Sequence, residues 1–230
     1  MDDVRPAVYT LPPVRKLLLS TLGFAALAGI AWLALTSLAP GSSIAEWAPC
    51  PRNWGWVPAW RPRASPLDAL PFEVAGGHGK LCYGRPSLRG RVMIGGKAVP
   101  LGELWRTGAN EPTTLHLDTA VRIGGLVLSP GSYALYTVPG PEKWEIVLNR
   151  SIRQWGLESE YDDEVRSHEI TRFTLPVATL PDPVEQLTFR ALPSATGAVD
   201  LVFSWQHSEF RLTLEPLTVP SGDAPLVSPL

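Results

Sequence analysis

The chain has 230 residues, 45% of them hydrophobic and 18% charged, enough for one medium-sized core with appended segments. Twenty basic and 22 acidic residues give a formal net charge of -2, a balance that offers no electrostatic footprint for nucleic acid, so no nucleic-acid partner is expected. Twenty-four prolines and 20 glycines exclude long helices outside one limited region and favour turn-rich β-structure.

Residues 1–16 form a short N-terminal segment that carries Arg5, Arg15 and Lys16. The run LLLSTLGFAALAGIAWLALTSLA, residues 17–39, has no charged residue. At about 1.5 Å rise per residue it can cross a hydrocarbon core of roughly 30 Å, which predicts a transmembrane helix. It is longer than a signal-peptide core needs and no convincing small-x-small cleavage site follows, so an uncleaved anchor is expected. Only Arg52 follows the run within a comparable distance, and the positive-inside rule then puts the N-terminus in the cytoplasm. Everything after residue 40 is expected on the periplasmic side of a bacterial inner membrane, with the lipid bilayer as one partner.

Residues 40–79 read as an extended juxtamembrane arm. Trp47, Trp54, Trp56 and Trp60 are interleaved with Pro49, Pro51, Pro58 and Pro62, and proline removes backbone donors that regular pairing requires. Trp47, and Trp32 within the span, suit a membrane-interface belt. Trp54, Trp56 and Trp60 follow too far along the chain for that layer. With Arg52 and Arg61 they have the composition of the energetic centre of a protein interface. Trp32, Trp47, Trp54, Trp56, Trp60, Arg52 and Arg61 are therefore the expected contacts to integral membrane subunits of a larger complex. Cys50 and Cys82, in an oxidising compartment, allow one bridge; spacing alone leaves two free thiols equally open.

From residue 80 to 217 the pattern changes to short runs of period two: 113–119, 132–138, 143–149, 170–177, 185–192, 199–205 and 209–217. Such alternation describes antiparallel strands with one wet face, and their number predicts an all-β fold, an antiparallel β-sandwich. IGGKAVPLG (94–102) and IGGLVLSPG (123–131) echo one another, and the Gly-Gly pair of each predicts a tight turn between strands. SEYDDEVRSHE (159–169) lacks the spacing of a calcium loop and reads as a solvated loop. Residues 218–230 form a C-terminal tail.

YGRPSLRGR (83–91), WRTGANEPT (105–113), GSYALYTVPG (131–140), the W-x-I-V-L-N of Trp144 to Asn149 and EQLTF (185–189) together resemble a bacterial family of extracytoplasmic β-domain proteins, the domain of unknown function 2911, over roughly residues 80–205. The resemblance implies a secreted or anchored β-sandwich and no particular reaction. Gly84 departs from the serine expected in Tyr-Ser-Arg-Pro-Ser. Where the first two motifs meet, Tyr83, Arg85, Arg91, Arg106, Asn110 and Glu111 would form a polar pocket in which arginine forks hold a carboxylate or phosphate. The alternative is a turn network in which Arg106 pairs with Glu111.

His78, His116, His168 and His207 are scattered singly, without metal-ligand spacing, and no G-x-S-x-G elbow or catalytic cysteine signature is present. No catalytic residue, metal or cofactor is assigned. The leading expectation is a non-catalytic, single-span accessory subunit that braces a membrane complex on its periplasmic side, with a photosynthetic reaction-centre and antenna assembly or another bioenergetic complex as host. The alternative is a membrane-tethered module that binds a small ligand through Arg85, Arg106 and Glu111.

Overall fold

The computed structural model describes residue 50 and residues 63–217. The expected span at 17–39, the tail 218–230, and Trp32, Trp47, Trp54, Trp56, Trp60, Arg52 and Arg61 lie outside the described residues. Among the described residues, no helix is long and apolar enough to cross a membrane.

Ten strands build two antiparallel sheets: β1 (Leu67–Val74), β2 (Gly77–Gly84), β3 (Thr113–Leu117), β4 (Val121–Ile123), β5 (Leu126–Leu128), β6 (Gly131–Val138), β7 (Lys143–Asn149), β8 (Glu169–Pro176), β9 (Ala178–Pro193) and β10 (Val199–Pro216). One sheet has the order β1-β2-β3-β6-β7-β8 and the other β5-β4-β10-β9. The fold is all-β and sandwich-like, and among the described residues the helical elements are one short helix, α1 (Asp163–Ser167), and one 3-10 turn at Glu158–Glu160. The core is aromatic: Trp105 stacks on Trp205 at 5.7 Å between ring centroids, and Phe203 on Phe210 at 4.7 Å. Trp144, Trp205, Phe203 and Phe210 are fully buried, and each such side chain contributes about 2–3 kcal/mol of transfer free energy.

The strands at 113–117, 131–138 and 143–149 follow the alternating runs closely. Two runs expected as separate strands, 199–205 and 209–217, are one strand. β10 passes through a register shift at Ser204, Gln206 and Ser208 that bends it without ending it. The first two strands fall partly inside the segment expected to be an extended arm: the sandwich begins at Leu67, not Lys80. Proline is tolerated in β1 because it is the edge strand of its sheet, where one row of backbone donors needs no partner. Leu70, Phe72 and Val74 face inward along it, and Ala75 and Gly76, both with positive φ, turn the chain into β2.

Of the two Gly-Gly echoes, the second is the β4–β5 hairpin, turned at Gly124 (φ 55°) and Gly125 (φ 82°). The first forms only isolated bridges, Ile94 to Val99 and Gly96 to Val99, within a long excursion between β2 and β3. The acidic run at 159–169 is mostly solvated, as expected, but it is helical over Asp163–Ser167 and not a loop throughout. The Asp162 carboxylate caps α1 by accepting from the Val165 N–H at 2.9 Å, and Tyr161 and Val165 are buried against Tyr136 and Val147 of the first sheet.

Candidate functional site

The disulfide is formed. Cys50 is bonded to Cys82 in β2, with 5.6 Å between their Cα atoms. Cys82 is buried, so the last described point before the tryptophan segment is pinned to the body of the sandwich.

The excursion from Arg85 to Pro112 carries most of the motifs at 83–91 and 105–113, and contacts to three strands fix it. Leu187 N–H donates to Pro86 O at 3.0 Å and Leu88 N–H to Glu185 O at 2.9 Å, which lays the first motif along β9. Trp105 and Thr137 exchange both backbone bonds, at 2.7 and 2.8 Å, which lays the second motif on β6. The Gln206 amide receives the Met93 and Ile94 N–H groups at 2.8 and 3.1 Å and donates to Ile94 O at 3.2 Å, which clamps the intervening loop to β10.

A cavity of about 320 Å³ opens between these segments. Its polar wall is made by Arg89, Arg91, Arg106 and Asn110, and its apolar wall by Trp105, Trp205, Met93 and Val99. Arg106 donates to Gly156 O at 2.8 Å and lies 3.8 Å from a Glu158 carboxylate oxygen, while its Nε–H is buried without a partner. The Trp205 indole N–H is likewise buried without a partner. Asn110 donates to Ser65 O at 3.2 Å.

The pocket expected from sequence is only partly assembled. Arg91, Arg106 and Asn110 reach one cavity; Tyr83, Arg85 and Glu111 do not line it. Glu111 does not pair with Arg106. Both its oxygens accept from Arg63 Nη1 at 2.7 Å, and Glu111 is buried. Arg85 donates to Asp68 at 3.1 Å, to Leu187 O at 3.1 Å and to Thr188 Oγ1 at 3.1 Å, a bracket between β1 and β9. The Tyr83 hydroxyl completes that bracket, accepting from Phe189 N–H at 3.2 Å and donating to Asp68 at 3.4 Å. Burial pushes its pKa up, so it remains a protonated structural donor at neutral pH.

Sequence reasoning missed Arg89. It lines the cavity from a left-handed backbone position, φ 50°, a conformation that no spacing rule announces. Chemically, Arg89 and Arg91 line an open cavity with spare N–H donors, Arg106 is engaged by Gly156 O and Glu158, and Trp105 and Trp205, 3% and 0% exposed, close the floor as core side chains. Among the described residues the histidines are dispersed: His116 meets Ser132, His168 meets Glu164 O and His207 meets Leu180 O.

No curated protein and no solved structure matches the chain. A family model described as a protein of unknown function, DUF2911, matches residues 65–214, a range that takes in β1 and the motifs at 83–91 and 105–113. The chain belongs to the DUF2911 family.

Proposed function

We propose that this protein is a non-catalytic, single-span accessory subunit that braces a multi-subunit membrane complex on its periplasmic side. The observation that carries the reading is the Cys50–Cys82 disulfide. Cys50 follows the end of the expected span at Ala39 by 11 residues, which reach at most about 40 Å when fully extended. Without the bond, the 28 residues from Ala39 to Leu67 would allow roughly 100 Å. With the expected span in a bilayer the bridge would shorten that leash, which supports a sandwich held near the membrane surface.

The same bond closes residues 50–82 into a loop that contains Trp54, Trp56 and Trp60. An aromatic loop held at the membrane face suits contact with neighbouring integral subunits, since aromatic and arginine side chains dominate interface energetics. A disulfide also fits an oxidising, periplasmic location. The expected span has no histidine to ligate a pigment or haem, so in a photosynthetic reaction-centre or other bioenergetic host those groups would belong to the partners.

The test replaces Trp54, Trp56 and Trp60 together by alanine in the native host and measures co-purification of partner subunits in mild detergent. The reading predicts loss of the complex with the sandwich still folded. An intact complex carrying the triple replacement would refute it.

A further inference from the structure

The chain enters the sandwich at one end. Cys50 is bonded to Cys82, two residues before the end of β2, and β1 begins at Leu67, paired with Gly84. Arg89 donates to Ala64 O at 3.1 Å and Asn110 to Ser65 O at 3.2 Å, so the excursion after β2 packs against that entry. At the opposite end is the β1–β2 turn, where Ala75 N–H donates to Gly197 O at 2.8 Å. The eight residues of β1 separate the two ends by about 25 Å.

Beside the entry, residues 89–101 form a loop that is held from beneath and apolar on the outside. Met93, Ile94 and Val99 are buried, whereas Val92 and Leu101 are 69% and 50% exposed, the most exposed large hydrophobic side chains among the described residues. The loop closes on itself and on the sheet: Gly95 N–H donates to Val99 O at 2.9 Å, Gly96 N–H to Met93 O at 3.1 Å and Gly102 N–H to Pro139 O at 2.8 Å. A Cβ on Gly95 would meet the Leu101 side chain and one on Gly96 the Val92 backbone, so the two apolar residues flank a single tip. Arg89, Arg91 and Lys97 are exposed on the same loop, which has no acidic residue, and none of the three forms an ion pair with a described residue. The nearest acids in the chain and in space are Glu103, exposed beyond the loop, and Glu185, whose carboxylate accepts from the Arg89 backbone N–H at 2.9 Å. Apolar side chains flanked by arginine and lysine have the composition of a segment that settles into the interface of an anionic bilayer. The loop has no aromatic residue, and lysine is depleted at the centres of protein interfaces, so lipid suits it better than a protein subunit.

We propose that residues 89–101 dock on the periplasmic surface of the bilayer, with Val92 and Leu101 entering the interfacial layer and Arg89, Arg91 and Lys97 meeting anionic headgroups. This docking rests on the single-span anchor proposed above and orients what the anchor tethers. The entry end of the sandwich faces the lipid, and the Ala75–Gly76 end faces away.

The experiment uses the full chain with its disulfide intact, in nanodiscs of phosphatidylcholine with or without phosphatidylglycerol. A bimane label is placed on Ala98→Cys in the loop or on Ala195→Cys at the opposite end, the native cysteines being bridged. Doxyl-labelled lipid quenches a label that reaches the bilayer, so quenching is expected at position 98 and absent at position 195. Phosphatidylglycerol strengthens it, and Arg91→Gln and Lys97→Gln each lower the docked-to-free ratio by about fivefold. Val92→Asp with Leu101→Asp abolishes it, and because both side chains are exposed the circular dichroism spectrum is unchanged. The proposal is overturned if an embedded chain shows no quenching at 98, equal quenching at 98 and 195, or quenching that ignores the double aspartate variant. The single-span anchor survives each of those results. Protection of position 98 in the native complex but not in lipid alone assigns the loop to a protein partner and also overturns the proposal. A chain that does not co-elute with the discs refutes the anchor, and the docking with it.

Discussion

Gly84 and Ala109 touch backbone to backbone: a Cβ at position 84 would lie 2.0 Å from the Ala109 carbonyl oxygen. This contact joins the motifs at 83–91 and 105–113, because Gly84 ends β2 and Ala109 lies between Arg106 and Asn110 in the second. The obstacle is backbone, which cannot swing aside as a side-chain tip would. Gly84→Ser, which restores the residue expected from the resemblance, should cost about 1–3 kcal/mol and displace the 107–111 turn. Urea denaturation of the full chain measures the loss, and an unchanged midpoint would show that the turn moves freely.

A second prediction concerns Glu111 and Arg63. The carboxylate is held by one guanidinium nitrogen at 2.7 Å to each oxygen, and the two side chains are 7% and 14% exposed. Removing one partner of so enclosed a pair leaves a charge without compensation, so Glu111→Ala should destabilise by about 3 kcal/mol or more. Replacing both residues by methionine should recover much of that loss, and denaturant midpoints of the three variants provide the comparison.

His116 makes stability depend on pH. It sits on β3 opposite Lys80 of β2 and Ser132 of β6, with Nδ1 2.7 Å from Ser132 Oγ and Nε2 without a partner. Burial, reinforced by the Lys80 charge, lowers its pKa from 6.5 to about 4. The unfolded chain therefore takes up the proton first as pH falls, so the contribution is present above about 6.5 and is lost progressively towards 4. The expected loss across that window is up to about 3 kcal/mol, and His116→Gln should flatten this part of the stability profile.

Reduction of Cys50–Cys82 opens a loop with a sequence separation of 32. The chain-entropy relation for a loop of that size corresponds to about 3–4 kcal/mol of stabilisation. Thermal unfolding with and without dithiothreitol, compared with Cys50→Ala, should show a lower midpoint in both modified states and no further effect of the reductant on the variant.

Much of the sandwich was legible because the sequences of β3, β6 and β7 alternate apolar and polar residues, although nearly all of their residues are buried, the second face of β6 and β7 being covered by Tyr161 and Val165. β2 was not, for a physical reason. GHGKLCYG has no alternation, its last six residues are all buried, and Gly79 is required where the Phe72 ring crosses, since a Cβ there would lie 2.3 Å from it. β1 was hidden by Pro71, which only an edge position permits. At the cavity, Arg91, Arg106 and Asn110 came from the two motifs, but which carboxylate meets which arginine depends on the turn at 107–111. That turn hands Glu111 to Arg63 and leaves Arg106 facing the cavity. No residue spacing encodes that choice.

The association claimed for this protein is tested most directly by its stoichiometry in native membranes. Extraction in mild detergent under non-reducing conditions, followed by size-exclusion chromatography and quantitative mass spectrometry, measures that ratio. The account predicts a constant ratio to a fixed set of integral membrane subunits across the peak, lost when Trp54, Trp56 and Trp60 are replaced. Recovery of a lone, monodisperse chain from those membranes would contradict it.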